Sequence, residues 1–387
     1  MAEAYIVDAI RTPGGRRKGG LSGIHPADLG ATVLDGLLDR TGIDPGAIED
    51  VIVGCVSQAG EQAFAFGRNM VLASRLPQTV PAVTIDRQCG SSQQALHFAA
   101  QAVMSGTQDV VVAAGAESMT RVPMGSNYTL HEQAGIGEGP WSRSIRDRFG
   151  VEGFSQFSGA QAIAEKYGLS REAMDSYALE SHRRAAIATD AGAFVSEIIP
   201  VTTSAGLVSR DEGIRYDASP EAIAAVKPLV EGGTITAANA SQMTDGASAA
   251  LIVSERALRT YGLTPIARVH ALGVTAGDPV IMLEEPIPGT RKALARAGMT
   301  LDDIDLFEVN EAFASIPMAW AKALSVDASK MNVNGGAIAL GHPLGASGTK
   351  LLATLIHALR ARGLRYGLQT MCEGGGVSNV TIVEALY

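Results

Sequence analysis

Two cysteines and one histidine of this chain stand in backbone that regular structure does not favour. Cys89 lies in Asp86-Arg87-Gln88-Cys89-Gly90-Ser91-Ser92, between the strand-like run Ala82-Val83-Thr84-Ile85-Asp86 and a small-residue helix expected from about Ser92 to Met104. A helix N-terminus favours negative charge, so a thiol there should ionise readily and act as a nucleophile near neutral pH. His342 sits in the glycine-dense stretch 334–348, and Cys372 leads into Cys372-Glu373-Gly374-Gly375-Gly376. Such glycine density implies sharp turns or close approach of backbone to something else. Histidine is a base able to deprotonate a thiol. The glycines after Cys372 would let backbone N–H groups line a cavity, as an oxyanion hole requires. Asn310 follows another strand, in Asn310-Glu311-Ala312-Phe313. Taken singly, each has an ordinary structural reading: an inert buried thiol, a core histidine, a tight turn, a helix-capping asparagine. Cys55, inside an apolar run, keeps that reading, and the other histidines receive no role.

The elements that must position these residues alternate between strand and helix. Leu29, Val33, Leu34, Leu37 and Leu38 lie at helical spacing, and Val51-Ile52-Val53-Gly54-Cys55-Val56 reads as a buried strand. Asp109-Val110-Val111-Val112-Ala113-Ala114 is a further strand. This β-α-β pattern argues for a mostly parallel sheet covered on both faces. From about Ser118 to Gln242 the chain becomes polar and turn-rich around one clear helix near Ser170, an excursion from the first domain. Alternation resumes at Ala249-Ala250-Leu251-Ile252-Val253. The run Thr41 to Val53 aligns without gaps to Ala297 to Val309, and Leu38 and Arg40 map to Leu294 and Arg296 at the same offset. The expected fold class is therefore a duplicated α/β fold: two similar mixed or parallel-sheet halves packed together, with the active site between them and an inserted loop domain.

Composition bounds the rest. With 387 residues, 46% hydrophobic and 18% charged, the chain can bury a large core. Its net charge is −9, and only Arg16-Arg17-Lys18 is basic, which reads as solvated surface; nucleic acid is not an expected partner. Three scattered cysteines suit neither a disulfide framework nor a metal site, and reduced thiols suggest an intracellular compartment. The chain shows no signal-peptide pattern and no bilayer-length apolar run, so a cytoplasmic protein is expected, with no membrane association.

Together, Cys89-Gly90-Ser91, Asn310-Glu311-Ala312-Phe313, Gly341-His342-Pro343 and Cys372-Glu373-Gly374 resemble, in order, the four signature blocks of the thiolase family, and the resemblance runs the length of the chain. It implies Cys89 as the acyl-accepting nucleophile and His342 as its activator. Cys372 would be the acid/base at the α-carbon. Asn310 would position the water of one oxyanion hole, and the backbone N–H groups of Cys89 and Gly374 would form the other. The resemblance also makes 119–242 a domain covering coenzyme A, between a first half (1–118 with 243–265) and a second half (266–387). Ser241 and Ala237 would lie against the pantetheine arm, Arg215 near the nucleotide phosphates, and Phe313 at the tunnel wall. No cofactor is bound permanently; coenzyme A and acyl-CoA are substrates. A homodimer or homotetramer is implied.

Two features lean toward degradation of longer or bulkier 3-ketoacyl-CoAs. A His-Met-Gly block common in acetoacetyl-CoA-specific members is absent near 155–159, and Glu373 stands where biosynthetic members commonly carry Ile. A decarboxylating ketoacyl synthase would not need Cys372, and a dead scaffold would not retain all four reactive positions.

Overall fold

The structure, a computed structural model, describes residues 2–387. The chain opens with β1 (Tyr5–Arg11), β2 (Gly15–Arg16), α1 (Pro26–Thr41), β3 (Asp50–Gly54), α2 (Phe66–Ala73), β4 (Ala82–Ile85), α3 (Ser91–Ser105) and β5 (Val110–Ser118). An excursion follows, with α4 (Leu130–Ala134), α5 (Arg143–Phe149), α6 (Gln156–Lys166), α7 (Arg171–Asp190), β6 (Val201–Thr203), β7 (Gly206–Val208) and α8 (Pro220–Ala224). The chain returns through β8 (Thr244–Val253) and α9 (Glu255–Tyr261). It ends with β9 (Ala267–Ala276), α10 (Pro286–Ala297), β10 (Leu306–Val309), α11 (Ser315–Leu324), α12 (Ala337–Leu340), α13 (Ser347–Arg362), β11 (Tyr366–Glu373) and β12 (Val377–Ala385). No helix of the described residues is long and apolar enough to cross a membrane.

Local chemistry explains these boundaries. In α1 the predicted stripe of Leu29, Val33, Leu34, Leu37 and Leu38 is buried. Pro26 opens the helix and Gly42, at φ 66°, closes it in the left-handed conformation that glycine adopts without strain. In α7, Ser170 accepts a hydrogen bond from Ala173 N–H and caps the helix expected there. That helix is one of five in the excursion, which is richer in structure than its polar composition suggested.

The strands form two copies of one frame. The first runs β4-β3-β5-β8-β1 and the second β10-β11-β12-β9, joined where Tyr5 and Ile6 of β1 pair with Arg268 and Ala267 of β9. Strand senses match: β3 is parallel to β5 and β10 to β11, whereas β8 and β1, like β12 and β9, run antiparallel. The parallel order read from the β-α-β alternation thus holds within those units, and the sheet as a whole is mixed. The two halves also keep a constant sequence spacing. Val53 pairs with Ala114 as Val309 pairs with Thr370, and the central helices begin at Ser91 and Ser347.

Helices α3 and α13 pack on each other and on strands of both halves of this sheet. Ala95, Leu96, Ala99 and Val103 of α3, with Leu352, Leu355, Ile356 and Leu359 of α13, share one apolar core with residues from both halves. Helix α1 covers the outer face of the first half and α10 that of the second. The loops that enter α3 and α13 therefore meet at the boundary between the halves.

Candidate active site

Cys89 belongs to the loop between β4 and α3. Asp86 Oδ1 accepts from Gln88 N–H at 2.6 Å; Ser91 Oγ accepts from Arg87 N–H at 2.9 Å and donates to the Gln88 carbonyl at 2.7 Å. These bonds hold Gln88 at φ 49°, a conformation that costs a non-glycine residue about 1–3 kcal/mol and recurs at functional sites. Cys89 is buried against Val56, Met119, Leu344, Leu351 and Met371. The position at the helix N-terminus is as expected; the readily ionised thiol is not. Burial pushes Cys89 up to about 12, and an ionised Glu373 would push the same way. Desolvation outweighs the helix terminus, so Cys89 rests as a thiol.

His342 follows α12 and Gly341. Gly341 has φ 82°, and a side chain there would strike the Thr244 hydroxyl, so both conformation and space demand glycine. His342 N–H donates to Thr244 Oγ1 at 3.0 Å. On the ring, Nδ1 lies 2.5 Å from Ser347 Oγ, and that hydroxyl donates to the Pro343 carbonyl at 2.8 Å. Ser347 therefore accepts from Nδ1–H, which leaves Nε2 without a proton, its lone pair facing Asn310 Nδ2. Burial and the Lys350 charge push His342 down to about 3, so the imidazole is neutral. The Cys89 thiol, pushed up, and the His342 imidazole, pushed down, both rest uncharged.

Asn310, at the end of β10, is buried with its Nδ2 3.4 Å from His342 Nε2. Its Oδ1 has no protein hydrogen-bond partner. The asparagine therefore faces the histidine and does not cap α11. Its neighbour Glu311 ties the excursion to this region, accepting from Tyr177 at 2.9 Å, Ser181 at 2.7 Å and Ile338 N–H at 3.1 Å. Cys372 lies at the end of β11, buried with Ala312, Phe313 and Ile338. Burial pushes its thiol up, and ionisation of Cys89 or Glu373 would push it further. Gly374 opens the turn that continues through Gly375 and Gly376, both at positive φ. Cys55 is buried away from this chemistry, its thiol also raised by burial.

One cavity of about 600 Å³ is lined by His342 together with Ala237, Ser241, Arg215 and Phe313. Cys89, Cys372, Asn310 and Gly374 are not on its wall; the first three are buried, and Gly374 is half-buried in the turn after β11. Ser241 caps no helix. Its N–H donates to the Ala312 carbonyl, in a short ladder that also pairs Ala240 with Phe313. Phe313 packs edge-to-face on Phe157, with ring centroids 5.7 Å apart.

The cavity also includes residues that sequence reasoning missed. Arg16 and Arg17, read as solvated surface, line it with Arg215, as do Met119 and Leu344. Ser347 was equally missed, although a hydroxyl in a glycine run five residues after a histidine was a usable signal. Among the described residues no group of side chains is arranged to hold a metal ion.

Residues 4–256 match the model for the thiolase N-terminal domain, and residues 263–385 that for the C-terminal domain. The chain belongs to the thiolase family. Among thiolase relatives, the steroid 3-ketoacyl-CoA thiolase FadA6 of Mycobacterium tuberculosis is 55% identical, over 100% of this chain and 95% of that protein. A 3-ketoacyl-CoA thiolase of Aliivibrio fischeri is 42% identical, over 99% and 100% respectively. Two solved thiolase structures have the same fold at 35% identity, each covering 100% of this chain and 99% of its own. The Bacillus anthracis acetyl-CoA acetyltransferase aligns with a TM-score of 0.90 and human mitochondrial 3-ketoacyl-CoA thiolase with 0.88.

Proposed function

We propose that this thiolase cleaves 3-ketoacyl-CoA with coenzyme A, giving acetyl-CoA and a shortened acyl-CoA, in acyl-CoA degradation. The observation that carries the reading is the cavity in which a tautomer-fixed His342 faces the same space as Ser241, Ala237, Arg215 and Phe313. In the first half-reaction the Cys89 proton passes to His342 Nε2 as sulfur attacks the 3-keto carbon. The Cys89 and Gly374 N–H groups stabilise the resulting oxyanion, while the imidazolium and water held by Asn310 hold the substrate thioester oxygen on which the enolate develops. Collapse breaks the C2–C3 bond, Cys372 protonates C2 of the departing enolate, and acetyl-CoA leaves a Cys89 thioester. In the second half-reaction Cys372 recovers its proton from the coenzyme A thiol. The thiolate then attacks the thioester, whose oxygen lies against the Cys89 and Gly374 N–H groups, and Cys89 departs and regains its proton from His342. Two half-reactions through one acyl-enzyme give ping-pong kinetics.

In this reading, residues 119–242 cover coenzyme A, between halves formed by 1–118 with 243–265 and by 266–387. Arg215 meets the nucleotide phosphates, and Arg16 and Arg17 line the same cavity. Coenzyme A is a substrate and no cofactor is held between turnovers. Three unpaired thiols fit a reducing compartment, and we assign the reaction to the cytoplasm, carried out by a homodimer or homotetramer.

Intact mass after incubation with acetyl-CoA tests the nucleophile: wild type gains an acetyl group and Cys89→Ser does not. Undiminished labelling of Cys89→Ser would sink the assignment. A thiolysis screen from acetoacetyl-CoA through long-chain to steroid-like 3-ketoacyl-CoAs, read by loss of the magnesium-enolate absorbance, identifies the acyl group. Preference for acetoacetyl-CoA would overturn the degradative reading.

A further inference from the structure

Glu373 is buried, and neither carboxylate oxygen has a hydrogen-bond partner. Buried polar atoms in native proteins are nearly always paired, so this exception demands a reason. The carboxyl group is wedged against the nucleophile loop: a side chain built at Gly90 would overlap Glu373 Oε1, and all three of its nearest atoms belong to Glu373. The contact is reciprocal. A side chain at Gly374 would come within 2.8 Å of Gln88 Oε1, so Gln88 covers Gly374 while Glu373 covers Gly90. The two loops that carry Cys89 and Cys372 are keyed into each other through their glycines.

The duplicated frame supplies an internal control. Glu373 occupies the position in β11 that Glu117 occupies in β5. Glu117 is equally buried but accepts four N–H bonds: from Val56 at 2.8 Å, Ser57 at 3.0 Å, Gln62 Nε2 at 2.8 Å and Gly345 at 2.9 Å. Burial raises the Glu117 carboxyl above its ordinary value, and these four donors oppose that rise by favouring the ionised form. Glu373 has none of these bonds. The backbone N–H of Asn379 and the Arg87 charge ease its environment without closing a hydrogen bond. Around it stand Cys89 and Arg87 on the loop before α3 and Cys372 on its own strand. On α3, His97 is neutral and bonded to Asn379 and Thr381. An anion here would oppose a thiolate at either cysteine.

We propose that Glu373 is a positioning residue that fixes the nucleophile loop by filling the space at Gly90, and that it does so as a neutral acid. The inference rests on the assignment of Cys89 and Cys372 as the reacting thiols. Because shape and neutrality are what matter, Glu373→Gln keeps thiolysis kcat and the iodoacetamide rate of Cys89 within about threefold of wild type. Glu373→Ala removes the key and lowers kcat about a hundredfold while KM for coenzyme A moves less than threefold. Gly90→Ala collides with Glu373 and is similarly impaired; combining it with Glu373→Ala recovers at least tenfold, a rescue that general destabilisation would not produce.

The pH dependence of stability adds a readout independent of turnover. A carboxyl protonated in the folded chain but ionised in the unfolded one contributes stability fully below the ordinary value of 4.5 and loses it as pH rises toward its raised folded value. The Tm of Glu373→Gln therefore climbs relative to wild type between pH 5 and pH 8. A Glu373→Gln enzyme as damaged as Glu373→Ala, an unimpaired Glu373→Ala, or a Tm difference independent of pH overturns the proposal. An inert wild type would instead remove the thiolase reading itself, and alkylation and Tm would still test Glu373.

Discussion

The two halves share one frame, but their polar groups are employed differently. Gly54 and Ala116 end β3 and the inner part of β5; the matching positions of the second half hold Asn310 and Cys372. Ser91 uses its hydroxyl to brace the backbone of its own loop, whereas Ser347 at the start of α13 bonds a histidine ring. Among the described residues, the first half leaves Gln93 Oε1 and Asp245 Oδ2 buried and unpartnered. The second leaves atoms of Thr275, Glu308, Asn310, Gln369, Glu373 and Asn379. Each unmade bond costs about 1–3 kcal/mol, so such atoms persist where something else holds them in place. The first half supplies a satisfied scaffold and one nucleophile. In the proposed mechanism the second half supplies the groups that handle protons, Cys372 and His342, and most of those that face an oxyanion.

The sharpest way to break this division is at Cys372, which has only Ala116 as its counterpart. Cys372→Ala should lower thiolysis by about 10³-fold, within the usual range for removing a general acid or base. Acylation of Cys89 by acetyl-CoA should survive at a reduced rate, because that step moves the Cys89 proton to His342. Single-turnover acylation followed by mass and steady-state thiolysis separate the two. Equal loss of both would assign Cys372 to the architecture of the site and not to proton transfer at carbon.

Much of this site was legible before any fold was known, and the reason is local. Cys89 and Cys372 sit next to glycines because both loops must approach one another, and Gly341 precedes His342 because only glycine adopts φ 82° beside Thr244. Such demands leave a mark in neighbouring residues. The duplication was also legible, since helix-to-strand turns repeat at fixed spacing. What could not be read were properties created by the meeting of the halves. Cys89 lies at a helix N-terminus, as read, yet burial reverses the expected effect on its thiol. Arg16 and Arg17 read as surface because their partners in the cavity wall are some 200 residues away. Glu373 was noticed only as the type that sets degradative members apart from biosynthetic ones, because the lack of donors around it is a tertiary fact.

A stability measurement sharpens the comparison of the two glutamates. Glu117→Gln turns an amide NH₂ toward backbone donors that need an acceptor, which should cost about 2–3 kcal/mol. Chemical denaturation at pH 7 should register that loss, whereas Glu373→Gln should lose nothing and gain relative to wild type as pH rises. If both substitutions were equally destabilising, the two carboxyl groups would be equivalent buried anions and the contrast between the halves would fail.

The smallest expected effect concerns the two serines. Ser347→Ala removes the acceptor that holds the proton on His342 Nδ1, so the imidazole can adopt the tautomer whose Nε2 carries hydrogen and cannot take the Cys89 proton. The main chain of α13 loses little, because Ser347 otherwise donates only to Pro343. The expected result is about a tenfold fall in Cys89 acylation, equivalent to about 1.4 kcal/mol, with Tm nearly unchanged. Ser91→Ala, by contrast, loosens the backbone around Gln88 and should lower Tm together with activity. A Ser347→Ala enzyme that acylates at the wild-type rate would mean that Asn310 and the surrounding backbone alone set the histidine tautomer. The hydroxyl at the head of α13 would then be only what its counterpart at the head of α3 is, a brace for its own loop.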